Sequence, residues 1–126
     1  MKRFYISLAM LASVIAFSIY GHVTLYRNFE RINEDLKQCV EALEKEDEQG
    51  VFEHLSKAEK TWDESKWLIG SVYSHQTKIE MRHLFLLIRE LAESGDKENF
   101  KEKTEEMIAY IQTSIDSIAV SLYNIF

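Results

Sequence analysis

One uncharged run constrains this chain more than any other feature. It extends for 23 residues, from Phe4 to Tyr26, and contains no Asp, Glu, Lys or Arg and a single histidine, His22. A helix of this length reaches about 34 Å, which is enough to cross a hydrocarbon core of about 30 Å. Lys2 and Arg3 precede the run, and basic residues favour the cytoplasmic side of a membrane. The sequence therefore predicts a single-pass signal anchor over residues 1–26, with a cytoplasmic N-terminus and an extracytoplasmic domain over residues 27–126.

A cleavable secretory signal is the competing interpretation of the same stretch. Phe4 to Ile15 would form its apolar region, and Ala16-Phe17-Ser18 would be an acceptable cleavage site. The apolar character continues through Ile19 to Leu25, as a stop-transfer segment requires, so a retained anchor in the cell membrane is favoured. Ala12 and Ala16 form a small-xxx-small pair, which leaves a homodimer open without supporting it.

Charge limits the partners of the domain. The whole chain has 15 basic and 21 acidic residues, and removing Lys2 and Arg3 leaves 13 basic against 21 acidic, a net charge of about −8. Nucleic acid and the surface of anionic lipid both attract basic faces, so the domain as a whole is a poor candidate for either. We expect no nucleic-acid partner.

Composition also indicates the fold class. The chain contains no proline and only four glycines, so little in it interrupts helices. Cys39 is the only cysteine, and no intrachain disulfide can form. We interpret Cys39 as a small buried apolar residue, with an intermolecular disulfide as the alternative. The prediction is an all-α protein stabilised by side-chain packing.

Apolar periodicity divides the domain into about four helices. The first continues the anchor and ends in the acidic run from Glu44 to Glu48, and the second begins with Asp47 or Gly50 as N-cap. Apolar positions predicted to face inward on these two helices are Phe29, Ile32, Leu36, Cys39 and Leu43, then Phe52, Leu55, Ala58 or Glu59, Trp62, Ile69 and Val72.

The second half of the domain follows the same pattern. A turn is predicted at Ser74 to Gln76, with a capping box at Thr77 to Glu80 that opens the third helix. Gly95 should end that helix and Asp96 should cap the fourth. The third helix, with Leu84, Phe85, Leu86, Leu87, Ile88, Leu91 and Ala92, is expected to be the most buried element. The fourth presents Phe100, Thr104, Met107, Ile111, Ile115, Ile118, Leu122 and Ile125.

Short connections predict an antiparallel arrangement of these helices. Either an up-down bundle or two stacked hairpins would satisfy them. Two acidic turns, at Asp47 and Asp96, echo each other in the way of tetratricopeptide-like repeats. Both topologies remain open from the sequence.

Motifs of catalysis are missing from the sequence. It contains no phosphate-binding loop, no Gly-x-Ser-x-Gly and no spacing that nominates a catalytic triad. Glu80 and His83 form a single Glu-x-x-His, whereas a di-iron bundle needs two. We therefore expect no enzyme activity, no cofactor and no metal site.

Two tryptophans point to an interaction surface. Trp62 and Trp67 are five positions apart, about 140° on a helix, so they cannot face one core. Trp62 is in phase with Leu55 and is assigned to the core. Trp67, with Leu68 and with His75 at the following junction, forms the predicted surface for docking on another membrane protein or facing the membrane. The alternative function is a secreted or anchored domain that binds a small ligand between its third and fourth helices.

The chain resembles a bacterial family, the domain of unknown function 4363, over nearly its whole length. The likeness rests on Lys2-Arg3 with the apolar helix, Asp47 followed by Trp62, His75 with Ile79, and the closing segment from Ser121 to Phe126. The resemblance implies a short membrane-anchored helical protein. It implies no activity and supplies no catalytic residues.

Overall fold

Four α-helices make up the described part of the chain. The computed structural model describes the backbone of residues 1–72 and 75–125, and the side chains of residues 1–67 and 75–124. The helices are α1 (Lys2–Glu44), α2 (Glu48–Val72), α3 (His75–Ser94) and α4 (Lys97–Ile125), and no strand occurs in these residues. The prediction of an all-α protein is confirmed.

Helix α1 is continuous over 43 residues, as the lack of stop signals predicted. The helix is exposed up to Phe17, whereas Gly21 and Leu25 are buried. Leu25 belongs to the core of the domain, so the domain includes residues that the sequence assigned to the membrane span. Further along α1 the predicted inward positions Phe29, Ile32, Leu36 and Cys39 are all fully buried.

The turn between α1 and α2 uses two local devices. Glu46 adopts a left-handed φ of 59°, and the Asp47 N–H donates to the Ala42 carbonyl at 2.9 Å, which closes the end of α1. The Asp47 carboxylate accepts from the Gly50 N–H at 3.0 Å. Asp47 is therefore the N-cap of α2, and Gly50 lies inside the helix.

The inward face of α2 differs from the predicted face at its start. Leu55, Ala58 and Trp62 are buried as predicted, but Val51 is buried where Phe52 was expected, and Phe52 is half-buried. Packing against α1 accounts for the difference, because Val51 belongs to the same core cluster as Cys39 of α1. The Val51 carbonyl also accepts the Cys39 Sγ–H at 3.5 Å. The side chains of Ile69 and Val72 lie outside the described residues.

Helix α3 begins earlier than predicted. His75 and Gln76 are already helical, so Gln76 does not belong to a turn and Thr77 is a buried residue of the first helical turn rather than an N-cap. Ser74 lies outside the described residues. The expectation that α3 is the most buried element does not hold, since Leu86 is 61% exposed and Leu87, Leu91 and Ala92 are only partly buried. The buried face instead consists of Thr77, Met81, Leu84, Phe85 and Ile88.

The junction of α3 and α4 matches the prediction. Gly95 has a left-handed φ of 75°, which glycine adopts at low cost. Asp96 caps α4, because its Oδ1 accepts the Asn99 N–H at 3.3 Å. The α4 positions predicted to face inward are buried at Phe100, Thr104, Met107, Ile111, Ile115 and Ile118, and Leu122 is partly buried. The side chain of Ile125 lies outside the described residues.

Within the described residues, each helix contacts two others. Helix α1 packs against α2 and α4, and α3 packs against the same two helices. Polar contacts join the same pairs: Arg89 on α3 pairs with Glu59 on α2, and Lys101 on α4 lies 3.0 Å from Glu44 on α1. The core between the helices is apolar except for a few buried polar groups such as Asn33 and Thr104.

Candidate functional site

The histidines are dispersed rather than clustered. His22 contacts the Ser18 carbonyl at 2.8 Å, and His54 lies 3.4 Å from the Asp35 carboxylate. His75 and His83 are exposed on α3. Within residues 1–72 and 75–125, no group of three or more His, Cys, Asp or Glu side chains is placed to hold a metal ion.

One small cavity lies at the far end of the domain, where α1 and α3 end and α2 and α4 begin. Its volume is about 180 Å³, below the 300–1,000 Å³ or so that is usual for small-molecule sites. Its apolar lining comes from all four helices, at Leu43, Val51, Phe52, Leu91, Ala92 and Phe100. Glu48, Glu93, Asp96 and Lys97 rim it.

A larger open cleft runs between α2 and α3. Trp62 and Phe85 form its floor, with ring centroids 6.1 Å apart, and the exposed Leu86 stands on its edge. Charged side chains of both signs surround this apolar floor: Glu59, Asp63, Lys66, Lys78 and Arg82. An apolar centre with a charged rim is the pattern of protein-binding surfaces.

The predicted surface residues lie at the end of the domain where α1 leaves it. Trp67 is 63% exposed and His75 is exposed, as the docking hypothesis requires, while the side chain of Leu68 lies outside the described residues. Asp35 beside His54 and Cys39 beside Val51 fix the antiparallel register of α1 and α2. Continued along α2, that register places Trp67 level with about His22 of α1.

Helices α3 and α4 return to the same level. Trp62 beside Phe85 fixes the register of α2 and α3, which places Ile79 level with about Trp67. Glu44 beside Lys101 and Asn33 beside Ile108 fix the register of α1 and α4. Val120 and Tyr123 therefore lie within about one helical turn of the level of His22.

Exposed apolar side chains are concentrated at this level. Tyr20 is 65% exposed, Trp67 63%, Ile79 50%, Val120 60% and Tyr123 83%, and together they are called the proximal collar below. Beyond Phe17, Leu86 is the only other large apolar side chain that is exposed among those described. Every helix contributes to the collar. Sequence analysis identified Trp67 as a surface residue. It did not identify the other four, because their positions along the chain do not show that they lie at one level of the folded domain.

Net charge is divided unevenly along the domain. The half near the collar consists of residues 18–30, 62–72, 75–84 and 113–125, and it contains four basic and five acidic residues. The other half of the domain contains nine basic and sixteen acidic residues. Nearly all of the net negative charge therefore lies away from the end from which the apolar part of α1 projects.

Comparison with known proteins gives no relative whose structure or function can be compared with this surface. No protein-family model, curated protein or solved structure matches the chain significantly. Among the described helices, α1 alone has the length and apolar composition needed to cross a membrane.

Proposed function

We propose that this chain is a non-enzymatic membrane-anchored helical module that docks on another membrane protein at the outer face of the cell membrane. The main support for this proposal is the unbroken helix α1, which is exposed and apolar at its start and buried in the domain core further on. A continuous helix without a flexible linker holds the domain at a fixed height and angle above the bilayer. That geometry suits a lateral partner in the same membrane.

The domain arrangement that we propose is an up-down four-helix bundle. Support comes from the contacts of α1 and α3 with the same two helices, α2 and α4, and from the short connections between successive helices. The proposed family, domain of unknown function 4363, rests on the sequence likeness described above.

The docking surface that we propose is the α2–α3 cleft directly above Trp67. Leu86 is exposed at its edge, and the Trp62 and Phe85 rings form an apolar floor that a partner side chain would cover. The rim of the cleft has three basic side chains, Lys66, Lys78 and Arg82, against two acidic ones, Glu59 and Asp63. The two acidic side chains are paired with Arg89 and Lys66. The remaining excess of positive charge favours a partner with carboxylates around an apolar contact.

A secreted or anchored ligand-binding domain is the second candidate. The exposed part of α1 ends at Phe17, within the predicted cleavage site Ala16-Phe17-Ser18, so cleavage there would leave the core intact. Two observations weigh against it: the cavity touching α3 and α4 has a volume of only about 180 Å³, and a domain released into water would expose the whole proximal collar.

Protease accessibility and crosslinking test the first candidate. Protease added to intact protoplasts should degrade the domain, and a photo-crosslinker at Leu86 should trap an integral membrane protein. The same crosslinker at Glu105, exposed on α4, is the matched control and should trap much less. Protection from protease would overturn the proposed topology, and crosslinks from Leu86 only to soluble proteins would overturn the docking surface.

Thermal denaturation tests the second candidate. A ligand that binds the folded domain raises its melting temperature by mass action. A panel of metals and metabolites should therefore leave the melting temperature unchanged if docking is the function. A concentration-dependent rise that disappears when Ala92, in the cavity wall, is replaced by Trp would support ligand binding instead.

A further inference from the structure

The geometry points to a lipid contact at the base of the domain: we infer that the proximal collar sits in the interfacial layer of the bilayer that α1 spans. Tyr20, Trp67, Ile79, Val120 and Tyr123 would lie among the lipid carbonyl and headgroup groups, so that the domain rests on the membrane with its lower end immersed. This inference rests on the proposed anchoring of α1 and adds a second, lipid-facing surface to it.

The length of the exposed apolar helix supports this position. From Phe4 to Phe17 α1 is exposed, and a helix of that length reaches about 21 Å, short of a hydrocarbon core of about 30 Å. Continuing the span to His22 brings its length to about 28 Å. His22 is the level at which the collar lies, so a span of adequate length places the collar at the outer boundary of the hydrocarbon.

The chemistry of the collar fits the same layer. Tyrosine and tryptophan combine an apolar ring with a polar group, and they are enriched at membrane interfaces for that reason. Three of the five collar residues, Tyr20, Trp67 and Tyr123, are of these two types. In water the five side chains would form an exposed apolar ring around one end of the domain, whereas lipid would cover them.

The charge distribution removes the main objection to lipid contact. The domain as a whole is strongly acidic, which would repel an anionic membrane. The half near the collar is almost neutral, with four basic and five acidic residues. The acidic excess lies in the opposite half, farther from the lipid surface than a Debye length of about 8 Å for much of its extent.

Depth-dependent fluorescence quenching of the full chain in vesicles tests the inference. In Trp62→Phe, Trp67 is the only tryptophan, and the protein is reconstituted in phosphatidylcholine whose acyl chains carry bromine near either the glycerol or the methyl end. We expect bromine near the glycerol end to cause the larger loss of Trp67 emission. Equal emission with and without bromine would overturn the inference.

Two matched variants separate this inference from the proposed anchor. Both carry Trp62→Phe and Trp67→Phe. One adds Leu86→Trp, about 9 Å above the collar, and should not be quenched; the other adds Leu11→Trp, about 14 Å below Tyr20, and should be quenched most by the deep bromine. If the Leu11→Trp variant is quenched and Trp67 is not, the collar inference fails while the anchor stands. If neither is quenched, the anchor fails as well.

A protein contact at the collar is distinguishable from lipid. Burial of Trp67 against a second copy would shift its emission to the blue without quenching by brominated lipid, and the shift would decrease at a higher lipid-to-protein ratio. That result would overturn the inference. Circular dichroism of each variant should show the helix content of the parent. A loss of fluorescence quenching can then not be attributed to misfolding of the variant.

Discussion

The Cys39 thiol links stability to pH. Burial, with smaller contributions from the Asp35 and Glu59 carboxylates, raises its pKa from 9.0 to about 12. The folded state therefore keeps the proton in a range where the unfolded chain releases it. The contribution of this thiol to the free energy of unfolding is fully present below about pH 9. It decreases as pH rises towards 12, by at most about 1.4 kcal/mol per pH unit.

Replacing this thiol isolates the effect from other groups that titrate at high pH. Cys39→Ala should be less stable than the parent at pH 7 because it loses core volume, and the difference should shrink between pH 9 and 11. Urea denaturation at several pH values measures both free energies of unfolding. A stability difference that is the same at pH 7 and pH 11 would contradict the raised pKa.

Thr104 carries a buried hydroxyl for which the described residues provide no hydrogen-bond partner. Its side chain is fully buried on α4, and a buried polar group without a partner costs about 1–3 kcal/mol. Thr104→Val replaces the hydroxyl with a methyl group of similar size, so we expect a gain of about 1 kcal/mol in the free energy of unfolding.

An exposed threonine on the same helix provides the control. The Thr113 hydroxyl donates to the Ala109 carbonyl at 3.1 Å and is exposed, so Thr113→Val should change stability little. Chemical denaturation measures both variants. Destabilisation by Thr104→Val would mean that the hydroxyl is hydrogen-bonded in solution.

The start of α2 depends on a fit between Asp47 and Gly50. The Asp47 carboxylate accepts the Gly50 N–H at 3.0 Å, and a Cβ at position 50 would collide with that carboxylate and approach Ala42. Asp47→Ala should therefore cost about 1 kcal/mol. Gly50→Ala should also destabilise, although alanine is the better helix former elsewhere. Gln49→Ala, one position away and exposed, should be neutral or stabilising in the same denaturation experiment.

Arg89 and Glu59 tie α3 to α2. The guanidinium bonds both carboxylate oxygens and also donates to the Ser56 hydroxyl at 3.2 Å, and the two ionic side chains are about 30% exposed. A double-mutant cycle with Arg89→Gln and Glu59→Gln should give a coupling of about 1 kcal/mol. The exposed pair Lys66–Asp63, at 3.5 Å on one helix, should give less than about 0.5 kcal/mol. Equal couplings would mean that the bidentate contact adds nothing.

Retention of the anchor is a property of the whole protein in the cell. Peptide mass spectrometry of membrane fractions should recover the segment from Phe4 to Tyr26 joined to the domain. Leu25 follows the predicted cleavage site, so it stays in the protein whether or not the N-terminal helix is cleaved. Only peptides that include residues before Ile19 distinguish the two cases. A mature N-terminus at Ile19, found in the medium, would mean that the protein is cleaved and secreted rather than anchored.

Local pattern was enough to predict the helices, because helix formation depends on contacts three and four positions apart. Short windows of sequence were enough to predict the continuity of α1, the cap at Asp47 and the end of α3 at Gly95. They also predicted that Trp62 is buried and Trp67 exposed. The same windows misjudged Leu86 and Phe52, since an apolar residue is buried only where a neighbouring helix covers it. That choice depends on which helices pack together.

The candidate surface was decided by tertiary structure. Tyr20 and Tyr123 are about a hundred positions apart in the chain, and they share one level because three antiparallel connections return the chain to it. The separation of a neutral half from an acidic half arises in the same way, since net charge along the sequence does not record which segments come together. The sequence alone determined the helices and the apolar run of α1. Only the tertiary structure brought the collar residues to one level of the bundle, because that level depends on the register in which the helices pack and not on how far apart the residues lie in the chain.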